Sequence, residues 1–201
     1  MNPDQAIVEF LARAENFPAA LEIAQYVEHT KKHLILQFWH RYHDEMARRL
    51  SEANLANRWQ MRLKDDQFLS QQHAECRIAF RPARAHALHL DVPLWVAQPI
   101  ERLPLYYGLC WSREVPETPA LPEIAELAQA LETMWLKPDG QSWWFKLIRL
   151  QDGLCENEFL LRTIQAPDAV TEEYVNLVWM FFEQIRDPLE KVNQALSTHA
   201  E

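Results

Sequence analysis

The spacing of apolar residues changes twice along this 201-residue chain, and this change limits the possible folds more than any other feature. Between residues 35 and 50 the apolar side chains recur at helical spacing, as Ile35, Phe38, Trp39, Tyr42, Met46 and Leu50. Polar and apolar residues then alternate strictly over residues 58–64, and helical spacing returns over residues 174–185. A helix buries a stripe of period 3.6, whereas a strand buries every second residue. The pattern therefore predicts helices first, a sheet in the middle and helices last.

Helix-start signals divide the N-terminal region into three predicted helices. Asparagine precedes proline at the start of the chain and again at residues 16–18, which is typical of an N-cap followed by a first helical turn. We expect the second helix to end at about Glu28 and the third to begin near Thr30. Together the three helices span about residues 3–55.

The remaining signals predict a sheet and a C-terminal helical region. Strands are expected at residues 58–64, 76–80, 88–92, 105–111 and 143–150, and a helix at about residues 121–135. The C-terminal helices cover about residues 155–197, with a new helix or a kink at Asp187-Pro188. The predicted fold class is α+β, in which N-terminal and C-terminal helices flank an antiparallel or mixed central sheet in one domain of residues 1–201.

Composition indicates the cellular compartment in which such a chain is expected. Apolar residues make up 48% of it, which is typical of a folded globule. No run approaches the roughly 20 apolar residues that cross a bilayer, and the first residues lack the basic and apolar segments of a signal peptide. Three scattered cysteines suit a reducing compartment. We therefore expect a cytoplasmic protein without a membrane partner.

Missing motifs exclude several kinds of chemistry. The three glycines are too far apart for a phosphate loop or a dinucleotide fingerprint, in which the backbone itself must approach a phosphate. No serine lies in a G-x-S-x-G turn, and no pair of cysteines has zinc-site spacing. Cys76 and Cys110 lie in predicted strands, where we expect core thiols. The sequence thus predicts no catalytic motif and no cofactor.

Cations cluster on one side of two predicted strands, although the net charge of the chain is −9. Strand alternation places Trp59, Met61 and Leu63 inward. The basic residues expected on or beside the outer face are Arg58, Arg62, Lys64, Arg77, Arg81 and Arg84. Such a face could bind phosphates or an acidic protein surface, and the alternative is an ordinary solvated face. One ring of Trp143 and Trp144 should also point outward, where it would stack on a base or anchor a partner unless a helix covers it.

A polar stripe on the third predicted helix has ligand-like spacing. Its members are His29, His33, His40 and Asp44. The pairs His29/His33 and His40/Asp44 are four residues apart, which can place two ligands on one metal ion. Such spacing also arises often on solvated helix faces without a third and fourth ligand, and we prefer that interpretation.

The order of aromatic landmarks resembles a bacterial protein group. The segments that carry the resemblance are residues 17–24 (FPAALEIA), 33–39 (HLILQFW), 105–109 (LYYGL), 143–146 (WWFK) and a long final helix. They resemble the C-terminal part of proteins that carry a PD-(D/E)XK nuclease-like domain at their N-terminus, and the resemblance covers nearly all of the chain. It implies a packing scaffold shared with that group, because the landmarks are core aromatics.

The catalytic pattern of the nuclease domain is absent from this sequence. Metal-dependent cleavage of that type needs an acidic pair and a lysine two residues after an Asp or Glu. No lysine here has an acidic residue two positions before it, and Pro138-Asp139 supplies only the letters "PD" in a predicted turn. The resemblance therefore implies the non-nuclease portion of the group, and no catalytic residue is carried over.

Three functions follow from the sequence, in decreasing order of preference. The first is a non-enzymatic recognition or regulatory module, an accessory part of a bacterial nuclease or defence system that acts through protein contacts. The second is a nucleic-acid-binding domain that uses the basic sheet face. The third is an enzyme with a site assembled from residues far apart in sequence, such as His86 and His89. The sequence leaves the identity of the partner and the oligomeric state open.

Overall fold

Helices and strands follow one another as the apolar spacing predicts. The computed structural model describes residues 3–64, 74–82, 87–96, 104–112, 119–131, 144–153 and 157–198, with the backbone alone described at residues 74–77, 91–96, 104–106 and 144–153. The elements are α1 (Pro3–Leu11), α2 (Phe17–Glu52), β1 (Trp59–Lys64), β2 (Ala74–Pro82), β3 (Leu88–Val96), β4 (Pro104–Trp111), α3 (Pro122–Ala130), β5 (Trp144–Gly153), α4 (Asn157–Gln165) and α5 (Pro167–Thr198). This order confirms the α+β class and the flanking of the sheet by N-terminal and C-terminal helices.

The sheet is antiparallel, and its five strands lie side by side in chain order. In β1, Trp59 is buried, Gln60 is exposed and Met61 is partly buried, as the alternation predicts. Met61 lies opposite Phe80 of β2. Opposite residues of an antiparallel pair lie on the same face of the sheet, so these two side chains define the face that is packed against the helices.

Helix α5 covers that apolar face. Phe182 lies with its ring centroid 4.8 Å from that of Trp59 and 5.8 Å from that of Phe80, and Phe181 contacts Tyr107 at 5.4 Å. All of these rings are buried. Burial of side chains of this size stabilises a fold by about 1.5–3 kcal/mol each relative to full exposure. The main core therefore lies between α5 and strands β1, β2 and β4.

A second aromatic group joins the three helices α2, α4 and α5. Phe38, Phe159 and Tyr174 form a triangle with centroids 5.2–5.6 Å apart and ring planes at 82–87°. Edge-to-face contacts of this geometry are worth about 0.5–1.5 kcal/mol beyond the area they bury. The triangle fixes α4 against the two long helices.

A buried asparagine attaches α5 to the start of β3. The Asn193 Oδ1 atom accepts hydrogen bonds from the backbone N–H groups of Ala87 (2.6 Å) and Leu88 (3.0 Å). Its Nδ2 atom donates to the carbonyl oxygens of Leu88 and Leu189, both at 2.9 Å. The residue is only 3% exposed. Because every polar atom of the amide has a partner, its burial carries no uncompensated desolvation cost.

The structure corrects the predicted division of the N-terminal helices. The predicted second and third helices are one helix, α2, with no break between Glu28 and Thr30. The Asn16 side chain does not cap α2; its Nδ2 atom instead donates to the Phe10 carbonyl at 2.9 Å. No glycine or proline interrupts α2 after Pro18, and from Lys32 onward buried side chains hold the helix in place.

A second correction concerns proline inside α5. Of the two alternatives predicted at Asp187-Pro188, the new helix is wrong, because α5 continues through Pro188; the kink stays a prediction. Proline removes one backbone hydrogen bond and disfavours the helix interior. Here Ile185, Leu189 and Val192 are fully buried around it, and their packing outweighs that cost. The predicted helix at residues 121–135 ends earlier than expected, at Ala130, and residues 132–143 lie outside the described chain.

None of the helices in the described ranges combines the length and the hydropathy required to span a bilayer.

Candidate protein-docking groove and the predicted basic face

The N-terminal arm, defined here as α1, the following turn and the first half of α2 (residues 3–31), contains no buried residue. Burial begins at Lys32 and continues to Leu50. The arm is nevertheless rich in large apolar side chains that are 38–64% exposed: Ile7, Val8, Phe10, Leu11, Phe17, Leu21, Ile23, Tyr26 and Val27. Single exposed apolar residues are ordinary, but nine of them within one 29-residue segment point to an interaction surface.

An apolar groove lies between α2 and α4, and we call it the α2/α4 groove. It has a volume of about 550 Å³. Its lining residues are Ile23, Tyr26, Val27, Thr30, Lys31, Leu34, Asn157, Leu160, Leu161 and Ile164. Leu161 and Ile164 are 56% and 58% exposed, so apolar surface forms both the walls and the rim. A groove of this size and character suits a helix or a loop of a protein partner.

Helix α4 places these two side chains outward because its opposite face is anchored. Phe159 belongs to the aromatic triangle, which joins α4 to α2 and α5, and Leu160 and Thr163 are buried beside it. The sequence analysis missed Leu161 and Ile164. These two residues are three positions apart on the side of α4 opposite Phe159, and this spacing alone indicates a second apolar face. The position of α4 beside α2 shows that this face lines a groove.

Farther along α2, charged side chains join it to α5. Arg41 pairs with Asp168 at 2.7 Å, and Arg49 donates to the Asn176 side chain at 2.7 Å. Hydrogen bonds from Arg48 and then Arg49 lower the pKa of Glu45 to about 2, against the opposing effect of its partial burial. Arg41, Glu45, Arg48 and Asp168 line a polar groove of about 470 Å³. Since its guanidinium and carboxylate groups pair with one another, we interpret this groove as a clamp between helices.

Part of the predicted basic face has the expected placement. Arg62 and Lys64 are exposed on β1. The β1–β2 register sets Lys64 opposite Arg77, and Gln60 opposite Arg81, so these four positions belong to the same face of the sheet. Arg81 is half-buried. The side chain of Arg77 lies outside the described side chains, and Arg84 lies outside the described residues.

Arg58 has a different environment from the one predicted. It precedes β1, and its guanidinium contacts the carboxylates of Glu190 and, at 3.8 Å, Asp187 on α5. The hydrogen bond to Glu190 raises the pKa of Arg58. This cation is therefore paired with the acidic C-terminal helix and does not add to an open outer face.

Beyond β1, the outer face of the sheet is less accessible than a solvated face would be. Ala79, His89 and Cys110 occupy positions on that side of β2, β3 and β4, and each is at most 5% exposed. Burial of Cys110 confirms that it is a core thiol. Trp143 lies outside the described residues, and Trp144 lies in β5, where only the backbone is described. The predicted outward tryptophan ring therefore stays a prediction.

The histidine stripe lies on one continuous helix, as its spacing required. His29, His33, His40 and Asp44 are all exposed on α2. The carboxylate of Asp44 lies 3.2 Å from Nδ1 of His43. Within the described ranges, no group of three or more His, Cys, Asp or Glu side chains is placed to hold a metal ion.

The sequence-distant histidines offered for an enzyme cannot be compared as a pair, because His86 lies outside the described residues. His89 is 2% exposed, and its Nδ1 atom lies 3.3 Å from the Ser112 hydroxyl.

Comparison with known proteins identifies no relative: no family model, curated protein or solved structure matches the chain. The resemblance to the nuclease-associated group therefore stays a prediction.

Proposed function

We propose that this chain is a non-enzymatic recognition module that acts through protein contacts, with the α2/α4 groove and the N-terminal arm as its docking surface. The observation that carries the proposal is the exposure of large apolar side chains along this surface, at 38–64% of their area. Apolar patches that remain exposed in a folded chain mark protein or membrane contacts. The groove has the concave form that binds a helix or loop, which favours a protein partner.

The floor and the α4 wall of the groove need little rearrangement to bind. Its floor includes Leu160, which is 5% exposed, and its wall on α4 is held by the aromatic triangle. A docking surface held by a packed core loses little conformational entropy on binding. Following the resemblance to the nuclease-associated group, we propose that the module serves as an accessory part of a bacterial nuclease or defence system.

Affinity capture with a matched pair of variants tests this proposal. The wild-type chain, the groove variant Leu161→Glu/Ile164→Glu and the control Met180→Glu are immobilised and exposed to bacterial extract. Met180 is 62% exposed on α5 but lies outside the groove. Any retained protein is identified by mass spectrometry, purified and titrated calorimetrically against all three chains. We expect binding to wild type and control, with at least a tenfold loss for the groove variant. Equal binding to all three would contradict the proposal.

Nucleic-acid binding is the second candidate, and the β1–β2 register favours it. Arg62 and Lys64 are exposed on the outer side of the edge strand, and Arg77 and Arg81 occupy positions on the same face. Fluorescence anisotropy with labelled single- and double-stranded DNA and RNA at about 50 and 200 mM salt tests this function, because phosphate contacts weaken steeply over that range. Binding that Arg62→Glu/Lys64→Glu abolishes and the exposed control Lys191→Glu retains would support it. No binding at the lower salt concentration would exclude it.

A further inference from the structure

We infer that the α2/α4 groove is filled by helix α1 of a second copy of this chain, so that two copies exchange their α1 helices. The inference rests on the proposed function, since it names the occupant of the same groove. In such a pair each chain contributes one helix and one groove, and a two-fold axis makes the two contacts identical.

Helix α1 has the features of a ligand and lacks those of an independent element. It is nine residues long and has no buried residue, whereas isolated helices below about 12–15 residues are marginal in water. Ile7, Phe10 and Leu11 are spaced i, i+3 and i+4, which places them on one stripe, and Val8 widens it. A short helix with an exposed apolar stripe is stabilised when that stripe is buried against another surface.

The turn after α1 is held by local hydrogen bonds, and α1 does not contribute to its own groove. The Asn16 side chain donates to the Phe10 carbonyl at 2.9 Å, and the Phe17 N–H donates to the Arg13 carbonyl at 2.8 Å. No residue of α1 lines the groove. The groove of one chain is therefore open to the α1 helix of another.

The lengths of helix and groove agree. Nine residues of α-helix extend about 13 Å, and the α2 wall of the groove, from Ile23 to Leu34, extends about 16 Å along its axis at a rise of about 1.5 Å per residue. A helix of the length of α1 thus fits within the groove wall without extending past it.

The buried area is sufficient for a stable dimer. One contact would cover four apolar side chains of α1 and five exposed ones of the groove: Ile7, Val8, Phe10, Leu11, Ile23, Tyr26, Val27, Leu161 and Ile164. Each is 38–64% exposed. At roughly 100 Å² of exposed area per side chain, two such contacts bury on the order of 1,800 Å², which lies within the range of about 1,200–2,000 Å² for specific interfaces.

Light scattering coupled to size exclusion, with full-length chains at about 1–100 µM, tests the exchange. The arm variant is Ile7→Glu/Phe10→Glu, the groove variant is Leu161→Glu/Ile164→Glu, and the control is Met180→Glu. We expect wild type and control to be dimeric and both double variants to be monomeric. At about 100 µM an equimolar mixture of the two double variants should regain an association weaker than that of wild type, because one of its two contacts joins an intact groove to an intact α1.

Three results would overturn the inference: a monomeric wild-type chain at the highest concentration, dimers that survive both double substitutions, or no association in the mixture. The last result would show that the two surfaces do not contact each other. Circular dichroism of each variant checks that it is folded. A monomeric chain that still captures another protein through the groove would overturn the inference and leave the proposed function standing, so the two failures are distinguishable.

Discussion

The two halves of α2 belong to one helix of 36 residues, yet the fold treats them in opposite ways. Residues 17–31 include Phe17, Leu21, Ile23, Tyr26 and Val27, and all five are exposed. Residues 32–52 carry seven buried side chains: Lys32, Ile35, Phe38, Trp39, Tyr42, Met46 and Leu50. Apolar content is high in both halves, so it does not explain the difference.

The difference comes from what lies beside each half. The second half contacts β1, β2, α4 and α5, whereas the first half has α4 on one side only, across the α2/α4 groove. Helical stability in proteins comes mainly from packing of an apolar face. An apolar stripe therefore specifies only which side of a helix favours burial. For the first half of α2, we propose that another chain covers that side.

The largest expected difference in the free energy of unfolding is between alanine variants of one aromatic residue from each half. Phe38→Ala should lower the free energy of unfolding by about 3–5 kcal/mol, because it leaves a cavity in the aromatic triangle. Tyr26→Ala should change it by less than about 0.5 kcal/mol, since Tyr26 is 64% exposed. Urea denaturation at low protein concentration, where a dimer would dissociate, measures both. Equal losses of stability for the two variants would contradict the distinction between a packed and an uncovered half of α2.

Proline substitution tests whether the two halves unfold together. Ala47 and Ala24 are both exposed and lie in the second and first half of α2. Ala47→Pro should destabilise the chain by about 3 kcal/mol. Ala24→Pro should remove helical signal in circular dichroism and leave the thermal midpoint of the core unchanged, because the first half is free to unfold locally. A large drop in the midpoint for Ala24→Pro would show that the arm is part of the cooperative core.

The next largest effect on the free energy of unfolding should come from Asn193, which attaches α5 to β3. The second half of α2 packs against this helix. Asn193→Ala should cost about 2 kcal/mol, because backbone groups of Ala87 and Leu88 lose their buried partner. Asn176→Ala on the same helix is the control and should cost under about 1 kcal/mol, since its contact with Arg49 is exposed. Chemical denaturation compares them, and a smaller loss for Asn193 than for Asn176 would contradict the proposed anchor.

The smallest expected effect is a pH dependence of the free energy of unfolding, caused by Glu45 in the second half of α2. Glu45 has a pKa of about 2 in the folded chain and 4.5 as its ordinary value. A lowered carboxyl pKa stabilises the fold above the ordinary value, and this contribution disappears as the pH falls from about 4.5 to 2. Because the pairs with Arg48 and Arg49 are partly exposed, we expect less than about 1 kcal/mol. The difference in unfolding free energy between wild type and Glu45→Gln should shrink over that range; a constant difference would exclude this linkage.

Much of the fold follows from local patterns. Strict alternation located β1, and the stripe from Ile35 to Leu50 located the buried half of α2. The errors arose where a local signal met tertiary packing. Asn16 carries an N-cap signature but bonds to Phe10, and Pro188 carries a helix-start signature but lies inside α5. Each of these residues is compatible with more than one local structure, and the residues packed around it determine which one forms.

The candidate site, too, has features that the sequence predicts and features that depend on tertiary packing. The sequence by itself determined the α+β class, the alternation of the strands and the apolar stripes of both long helices, because these depend on periods of a few residues. Only the tertiary structure decided that Arg58 pairs with α5, that α4 forms a wall beside α2 and that the apolar residues of the arm are left uncovered. Periodicity states which side of an element is apolar, whereas burial depends on which element, of this chain or another, lies against that side.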